Sequence, residues 1–242
     1  MHRCVIDAAA PPAVGDAVAL SPQESGHMIK SLRMKTGDPV QLIAAERLFL
    51  AAIESVEDGI VQVRIVDALP SPEPGVKITL MQGLPKADKL EWIIQKATEL
   101  GVFSILPVEM SRSVARIGEK EEKKRERYQR IALEAAKQAG RAHIPDVLPA
   151  LRFQDAIKTM QGKVVYVAWE DENSLRLSQA IAQDQPGEIT IVIGPEGGIA
   201  TDEIEQLLAT GAQTVTLGRR ILRTETAGLC ALAAALTALG EM

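Results

Sequence analysis

Three stretches in the second half of the chain combine apolar runs with glycine and charge: "YVAWEDE" at 166–172, "IVIGPEGGIATDE" at 191–203 and "LGRRILRTETAG" at 217–228. Glycines at 194, 197, 198 and 218 let a ligand reach the main chain and present its N–H and C=O groups to it. The central stretch lacks the Lys and Ser/Thr of a phosphate-gripping loop and the G-x-G-x-x-G spacing of a dinucleotide site. Each loop by itself reads either as a plain turn after a strand or as a place where a ligand is held by backbone contacts, and neither usual phosphate motif describes them.

The surrounding sequence predicts the elements that carry the loops. "ALPSPEPG" at 68–75 holds three prolines and a glycine, which resist helix and central strand and mark a seam. Before it, "DAVAL", "DPVQLIA", "LFLAAIESV" and "GIVQVRIVDAL" alternate apolar and polar residues between turn signals, which predicts a small antiparallel barrel over residues 1–70. After it, strands ("VKITLMQG", "FSILPVE", "KVVYVAW", "EITIVIG", "QTVTLG") alternate with helices, which predicts an α/β domain with a mostly parallel sheet over 76–242. In such a sheet ligands bind beyond the carboxyl ends of the strands, where the three loops fall. "ADKLEWIIQKATELG" predicts a helix with Asp88 and Glu91 at capping-box spacing, Gly101 as its stop, and Leu90, Ile93, Ile94, Ala97 and Leu100 on one face. The final "TAGLCALAAALTALG" is apolar nearly all round, as expected of a helix buried in its own domain or lying between two copies of a homodimer.

Composition narrows the class. The 242 residues carry a net charge of −5, and no apolar run reaches the roughly 20 residues that span a bilayer. The start, "MHRCVIDAAAPP", does not read as a secretory signal, so a cytoplasmic location without membrane contact is expected. Cys4 and Cys230 form no disulfide framework, neither has a His or acidic partner at ligand spacing, and His2, His27 and His143 are scattered. No metal is expected. Between Ser111 and His143, ten Lys/Arg face five Glu, leaving this segment +5 against −10 for the rest. That local basic surface suits a polyanion such as RNA despite the acidic total.

Taken together, "KADKLEWIIQKATELGV" (86–102), "RSV" (112–114), "EAAKQAGRAHIP" (134–145), "IGPEGG" (193–198) and "LGRRILRTETA" (217–227) are specific in combination. On them the chain resembles the SPOUT superfamily of RNA methyltransferases, and within it the RsmE type. "HMIKSLRMKTGD" (27–38) is similar to the His-x5-Arg segment of that family's PUA-like domain, whereas "AAER" (44–47) stands where the family has an acidic-glycine turn.

The resemblance implies a PUA-like β-barrel over 1–70, a Pro-rich linker over 71–75 and a trefoil-knotted SPOUT domain over 76–242, working as a homodimer. It implies S-adenosylmethionine (SAM) as cofactor, held by Trp169, Ile193, Gly194, Pro195, Glu196, Gly197, Gly198, Leu217, Gly218, Ile221, Leu222, Arg223, Thr226 and Ala227. The implied reaction is methylation of N3 of one uridine (U1498) in 16S rRNA of the small ribosomal subunit. A tRNA or ribose 2′-O substrate and a non-catalytic assembly factor are the alternatives. For the N3 reaction Arg223 is the expected anion-stabilising cation, because a guanidinium stays protonated and offers a donor fork. Glu225 or Glu196 would accept the proton if burial raised its pKa toward neutrality. RNA phosphates are expected on His27, Lys30 and Arg33, with Met28, Ile29 and Leu32 facing inward, and on Arg112, Arg116 and Arg141. His143 reads as a hydrogen-bonded structural residue.

Overall fold

A computed structural model describes residues 1–242, which separate into two compact units, Met1–Glu73 with Ala136–Ile144 and Pro74–Ala135 with Pro145–Met242. In chain order the elements are β1 (His2–Val5), β2 (Ala17–Ala19), α1 (Pro22–Gly26), β3 (Pro39–Ala44), β4 (Arg47–Glu57), β5 (Ile60–Leu69) and β6 (Lys77–Gly83). There follow α2 (Lys89–Glu99), β7 (Ser104–Glu109), α3 (Glu121–Ala139), β8 (Asp146–Val147), β9 (Leu151–Arg152), α4 (Phe153–Ala156) and β10 (Val165–Ala168). The chain ends with α5 (Leu177–Asp184), β11 (Glu188–Ile193), α6 (Thr201–Ala209), β12 (Gln213–Val215) and α7 (Thr224–Ala238).

The first unit is built on a five-stranded sheet in the order β1-β3-β4-β5-β2. Period-2 alternation puts Val40 and Leu42, Ala51 and Ile53, and Val61, Val63 and Ile65 into one core with Cys4 and Phe49. The expected all-antiparallel sheet is corrected here, because β1 pairs with β3 in parallel. Residues 2–5 are too short to signal a strand alone and are recruited by the edge of β3. Asp58 and Gly59, both with positive φ, close the β4–β5 hairpin. Between β3 and β4 the same two-residue turn is made without glycine, Ala45 and Glu46 sitting at φ 45° and 58°.

The amphipathic reading of 27–33 also needs correction. His27–Ser31 is a π-helical turn, with the Leu32 N–H donating to the His27 carbonyl five residues back. The wider turn rotates Leu32 off the face of Met28, so Met28 is fully buried while Leu32 is 45% exposed. His2, Cys4 and Glu24, which carried no ligand-spacing signal, place their ligand atoms within 4.8 Å of one another. The Lys137 ammonium occupies Glu24 at 2.7 Å, and burial, with Glu24 adding to it, pushes the Cys4 thiol up to about 12.

The second unit holds a seven-stranded sheet in the order β12-β10-β11-β6-β7-β8, with β9 beside β7, and every pairing is parallel. Both faces are covered, as near-continuous Val/Ile/Leu strands require. Ile78, Leu80 and Ile191 pack with α2, α5 and α7, while Met81 and Val192 pack on the other face with α4 and α6. Gly101 ends the α2 region at φ 100°, as its sequence predicts. The Asp88–Glu91 capping box does not form; Asp88 caps without a side-chain bond, and Glu91 instead accepts from Arg127 at 2.7 Å. Trp92 stays 45% exposed.

Candidate functional site

The sheet register brings the chemistry-bearing loops to one edge. Ile193 at the end of β11 pairs with Gln82 on one side and Ala168 on the other, and Ala168 pairs with Val215. The segments following β10, β11 and β12 therefore leave the sheet side by side. They line a cavity of about 470 Å³ within the second unit, a size suited to a small organic ligand.

Glycine shapes its floor. A Cβ on Gly83 would stand 2.6 Å from Pro195 Cδ and N, so only glycine lets β6 pass under the loop after β11. Gly198 turns that loop at φ 72°. A buried polar relay then ties the loop to α7. The Thr224 hydroxyl donates to the Gly194 carbonyl at 2.6 Å and accepts from Gln82 Nε2 at 2.8 Å. Gln82 is fully buried, and its Oε1 has no partner. After β10, the Glu172 carboxylate accepts from the Ser174 N–H and hydroxyl, the Leu175 N–H and the Thr214 hydroxyl. Those donors hold its pKa at about 2 and fix the loop that carries Trp169.

At the mouth, the Lys89 ammonium lies 3.1 Å from Glu196 and 3.0 Å from Glu225. Glu196 also accepts from the Lys86 N–H at 3.1 Å. The condition set for either carboxylate as a base, a pKa raised by burial, is opposed by these donors. Burial pushes Glu196 up, but the Lys86 N–H, its own N–H and Lys89 outweigh it and hold the group below the ordinary carboxylate range. Burial likewise raises Glu225, and its own N–H, Lys89 and Arg223 lower it further than burial raises it. Lys89 in turn is raised, first by Glu225 and then by Glu196. Neither carboxylate is tuned toward neutrality as a base. Arg223, the N-cap of α7, is exposed at the cavity wall and forms no ion pair with Glu225, whose carboxylate meets Lys89.

Of the expected cofactor residues, Trp169, Ile193, Gly194, Pro195, Glu196, Gly198, Leu217, Gly218, Ile221, Leu222, Arg223 and Ala227 line the cavity. Gly197 instead rests on Arg112, whose Nη1 donates to its carbonyl at 3.1 Å, and Thr226 is exposed beside the cavity on α7. Sequence reasoning passed over Lys89, Glu170, Asn173, Arg219, Arg220 and Thr224 in the wall, and Gln82 behind it. Arg219 and Arg220 sat in plain view inside "LGRRILRTETAG"; Lys89 was hidden as an ordinary first-turn helix residue.

The expected RNA contacts divide. His27, Lys30 and Arg33 are exposed. Arg112 is exposed and braces Gly197, while Arg116 lies against Glu109 at 3.3 Å. Arg141 is a correction: it is 5% exposed, and its Nε donates to Glu73 at 3.0 Å. Glu73 also accepts the N–H groups of Ala142 and His143, and His143 Nδ1 meets Glu46 at 3.0 Å, a structural arrangement. Arg141 is thus consumed in neutralising a half-buried carboxylate and offers no face to a phosphate.

Comparison with known proteins places this geometry in context. Residues 71–236 match the family described as RNA methyltransferase domain. The ribosomal RNA small subunit methyltransferase E of Bacillus subtilis is 37% identical over 226 residues, covering 89% of this chain and 88% of the relative. That of Rickettsia conorii is 32% identical over 222 residues, with the same coverage of both chains. Among solved structures, a ribosomal RNA small subunit methyltransferase E from Neisseria gonorrhoeae bound to S-adenosyl methionine superimposes with a TM-score of 0.83 at 29% identity, covering 98% of both chains.

Proposed function

Because the chain belongs to the RNA methyltransferase domain family and, within it, to the ribosomal RNA small subunit methyltransferase E type, we propose that it methylates N3 of a single uridine in 16S rRNA using SAM. The observation that carries this reading is the cavity itself, lined by backbone-exposing loops and lacking a phosphate grip, with an unpaired guanidinium at its wall.

The residues present fit SAM. Trp169, Ile193, Leu217 and Leu222 provide apolar walls for an adenine ring, Asn173 and Glu170 offer hydrogen-bonding groups for ribose hydroxyls, and Arg219 or Arg220 suits the amino-acid carboxylate. Bound there, SAM would supply a methyl group on a sulfonium with a neutral thioether as leaving group, and the uridine N3–H proton would pass to water. Arg223 acts on the acceptor: its donor fork stabilises negative charge over the uracil carbonyl oxygens as N3 loses its proton. The base edge must be free of pairing, so the target is single-stranded or turned out of its helix.

The remaining features form part of the same reading. The order β12-β10-β11-β6 sends the chain from the cavity loop after β12 into α7, and the trefoil knot is the family's form of this connection. The exposed His27, Lys30 and Arg33 support a PUA-like RNA-binding role for the first unit. A homodimer is part of the same reading, and it rests on the family resemblance. No helix is long and apolar enough to cross a membrane.

Nucleoside analysis of 16S rRNA from a deletion strain tests the assignment: 3-methyluridine disappears and returns on complementation. Its persistence in the deletion strain overturns the proposal. With purified protein, Arg223→Ala retains SAM binding by calorimetry and loses methyl transfer; wild-type turnover in that variant removes Arg223 from its role.

A further inference from the structure

The two acidic residues that sequence reasoning put forward as bases are both engaged by one lysine. Lys89 stands at the start of α2, Glu196 in the loop after β11, and Glu225 in the first turn of α7. The separations in sequence are large, so the contact is a product of the fold. Lys89 also lines the cavity. With the Thr224 hydroxyl on the Gly194 carbonyl, it gives the loop and the helix two points of attachment.

We propose that Lys89 is a positioning residue, one ammonium shared by Glu196 and Glu225 that latches two walls of the cavity together and leaves Arg223 as the charged group acting on the uracil ring. This rests on the uridine-N3 reading. The groups around the latch are the main-chain N–H of Lys86 on Glu196 and the charged side chains of Arg223 beside Glu225, Glu170 after β10, and Arg219 and Arg220 after β12. None of these replaces Lys89 between the two carboxylates. A carboxylate bonded to an ammonium has a low proton affinity, so it is a poor acceptor for the N3 proton. That proton leaves N3 for solvent water, the electron pair stays on the ring, and Arg223 carries the charge that spreads over O2 and O4.

The latch is read first without catalysis. In protein labelled with ¹³C-carboxyl glutamate, Lys89→Met raises the titration midpoints of Glu196 and Glu225 toward the ordinary value of about 4.3, and Lys89→Arg restores them. Unmoved midpoints in a folded Lys89→Met protein overturn the latch. Each part-exposed pair is worth a few-fold in an equilibrium, so loss of both lowers SAM affinity by about tenfold in calorimetry.

The second readout separates a latch from a base. Glu196→Gln and Glu225→Gln each lower kcat by less than about tenfold, and the wild-type kcat rises with pH through neutrality without a carboxylate inflection. A loss of about 100-fold or more in kcat with SAM affinity intact, as removal of a general base produces, overturns the proposal. Failure of the uridine-N3 reading is distinct: wild-type protein then forms no 3-methyluridine, while the carboxyl titrations still respond to Lys89→Met.

Discussion

Replacing Gly83 by alanine probes the tightest point of the cavity floor. A Cβ at Gly83 would lie 2.6 Å from Pro195 Cδ, 2.6 Å from Pro195 N and 2.9 Å from the carbonyl carbon of Gly194. Ordinary contact begins at 3.4 Å, so the loop after β11 must withdraw by about 0.8 Å, the difference between the two distances. The obstructing atoms are main chain and a proline ring, which cannot rotate away. Gly83 does not adopt a positive φ, so alanine meets no backbone penalty and the collision is the whole cost. Overpacking of this kind costs about 1–3 kcal/mol. The displaced loop also carries the Gly194 carbonyl bonded by Thr224 and the Glu196 carboxylate bonded by Lys86 and Lys89. SAM affinity is therefore expected to fall by about 5- to 150-fold in calorimetry, with Tm lowered by about 2–4 °C for each kcal/mol lost. Gly187→Ala is the matched control, since no heavy atom lies within 4 Å of its Cβ position and its φ is not positive. Wild-type SAM affinity and Tm in Gly83→Ala would refute the argument that close passage of β6 under Pro195 shapes the site.

Other substitutions test the supports of the two units. Thr224→Val keeps the shape of the side chain but strands one N–H of the buried Gln82 and removes the donor to the half-buried Gly194 carbonyl; it costs about 1–3 kcal/mol by denaturant unfolding, whereas Thr224→Ser stays near wild type. Arg141→Met leaves the Glu73 carboxylate without its guanidinium and destabilises by about 3–5 kcal/mol, and a loss below about 1 kcal/mol would show that the pair is dispensable. Glu73 itself sets a pH dependence. Burial raises its pKa, but Arg141 and the two backbone N–H groups lower it further, so the folded value lies below the unfolded one. Its contribution is thus fully present above the unfolded carboxyl range and is lost as pH falls through the folded pKa. Wild-type protein should lose stability relative to Glu73→Gln once pH drops below about 5, and parallel curves for the two proteins on acidification would contradict the assignment.

Much of the architecture was legible because it rests on short-range patterns. Strand alternation, the 3.6-residue face of α2, the Gly101 stop and the Pro-rich seam are each set by residues a few positions apart, where backbone sterics and side-chain periodicity act directly. The strand–helix alternation in turn predicted a parallel sheet, and with it the placing of the three loops at one edge. The misreadings came where a local rule met a distant competitor. Glu91 was at capping distance from Asp88, but Arg127, 36 residues away, took its carboxylate. The segment 27–33 had helical spacing, but one π-type bond turned Leu32 outward.

The amino-acid sequence by itself determined the strand–helix alternation of the second unit and which of its glycine loops would meet at one sheet edge. The tertiary structure alone decided what the charged side chains do. Lys89 meets Glu225 across 136 positions, Gln82 meets Thr224 across 142, and Arg141 meets Glu73 across 68. No periodicity reports such pairs. The protonation of a carboxylate depends on the donors and charges within a few ångströms of it, and only the folded chain brings those together.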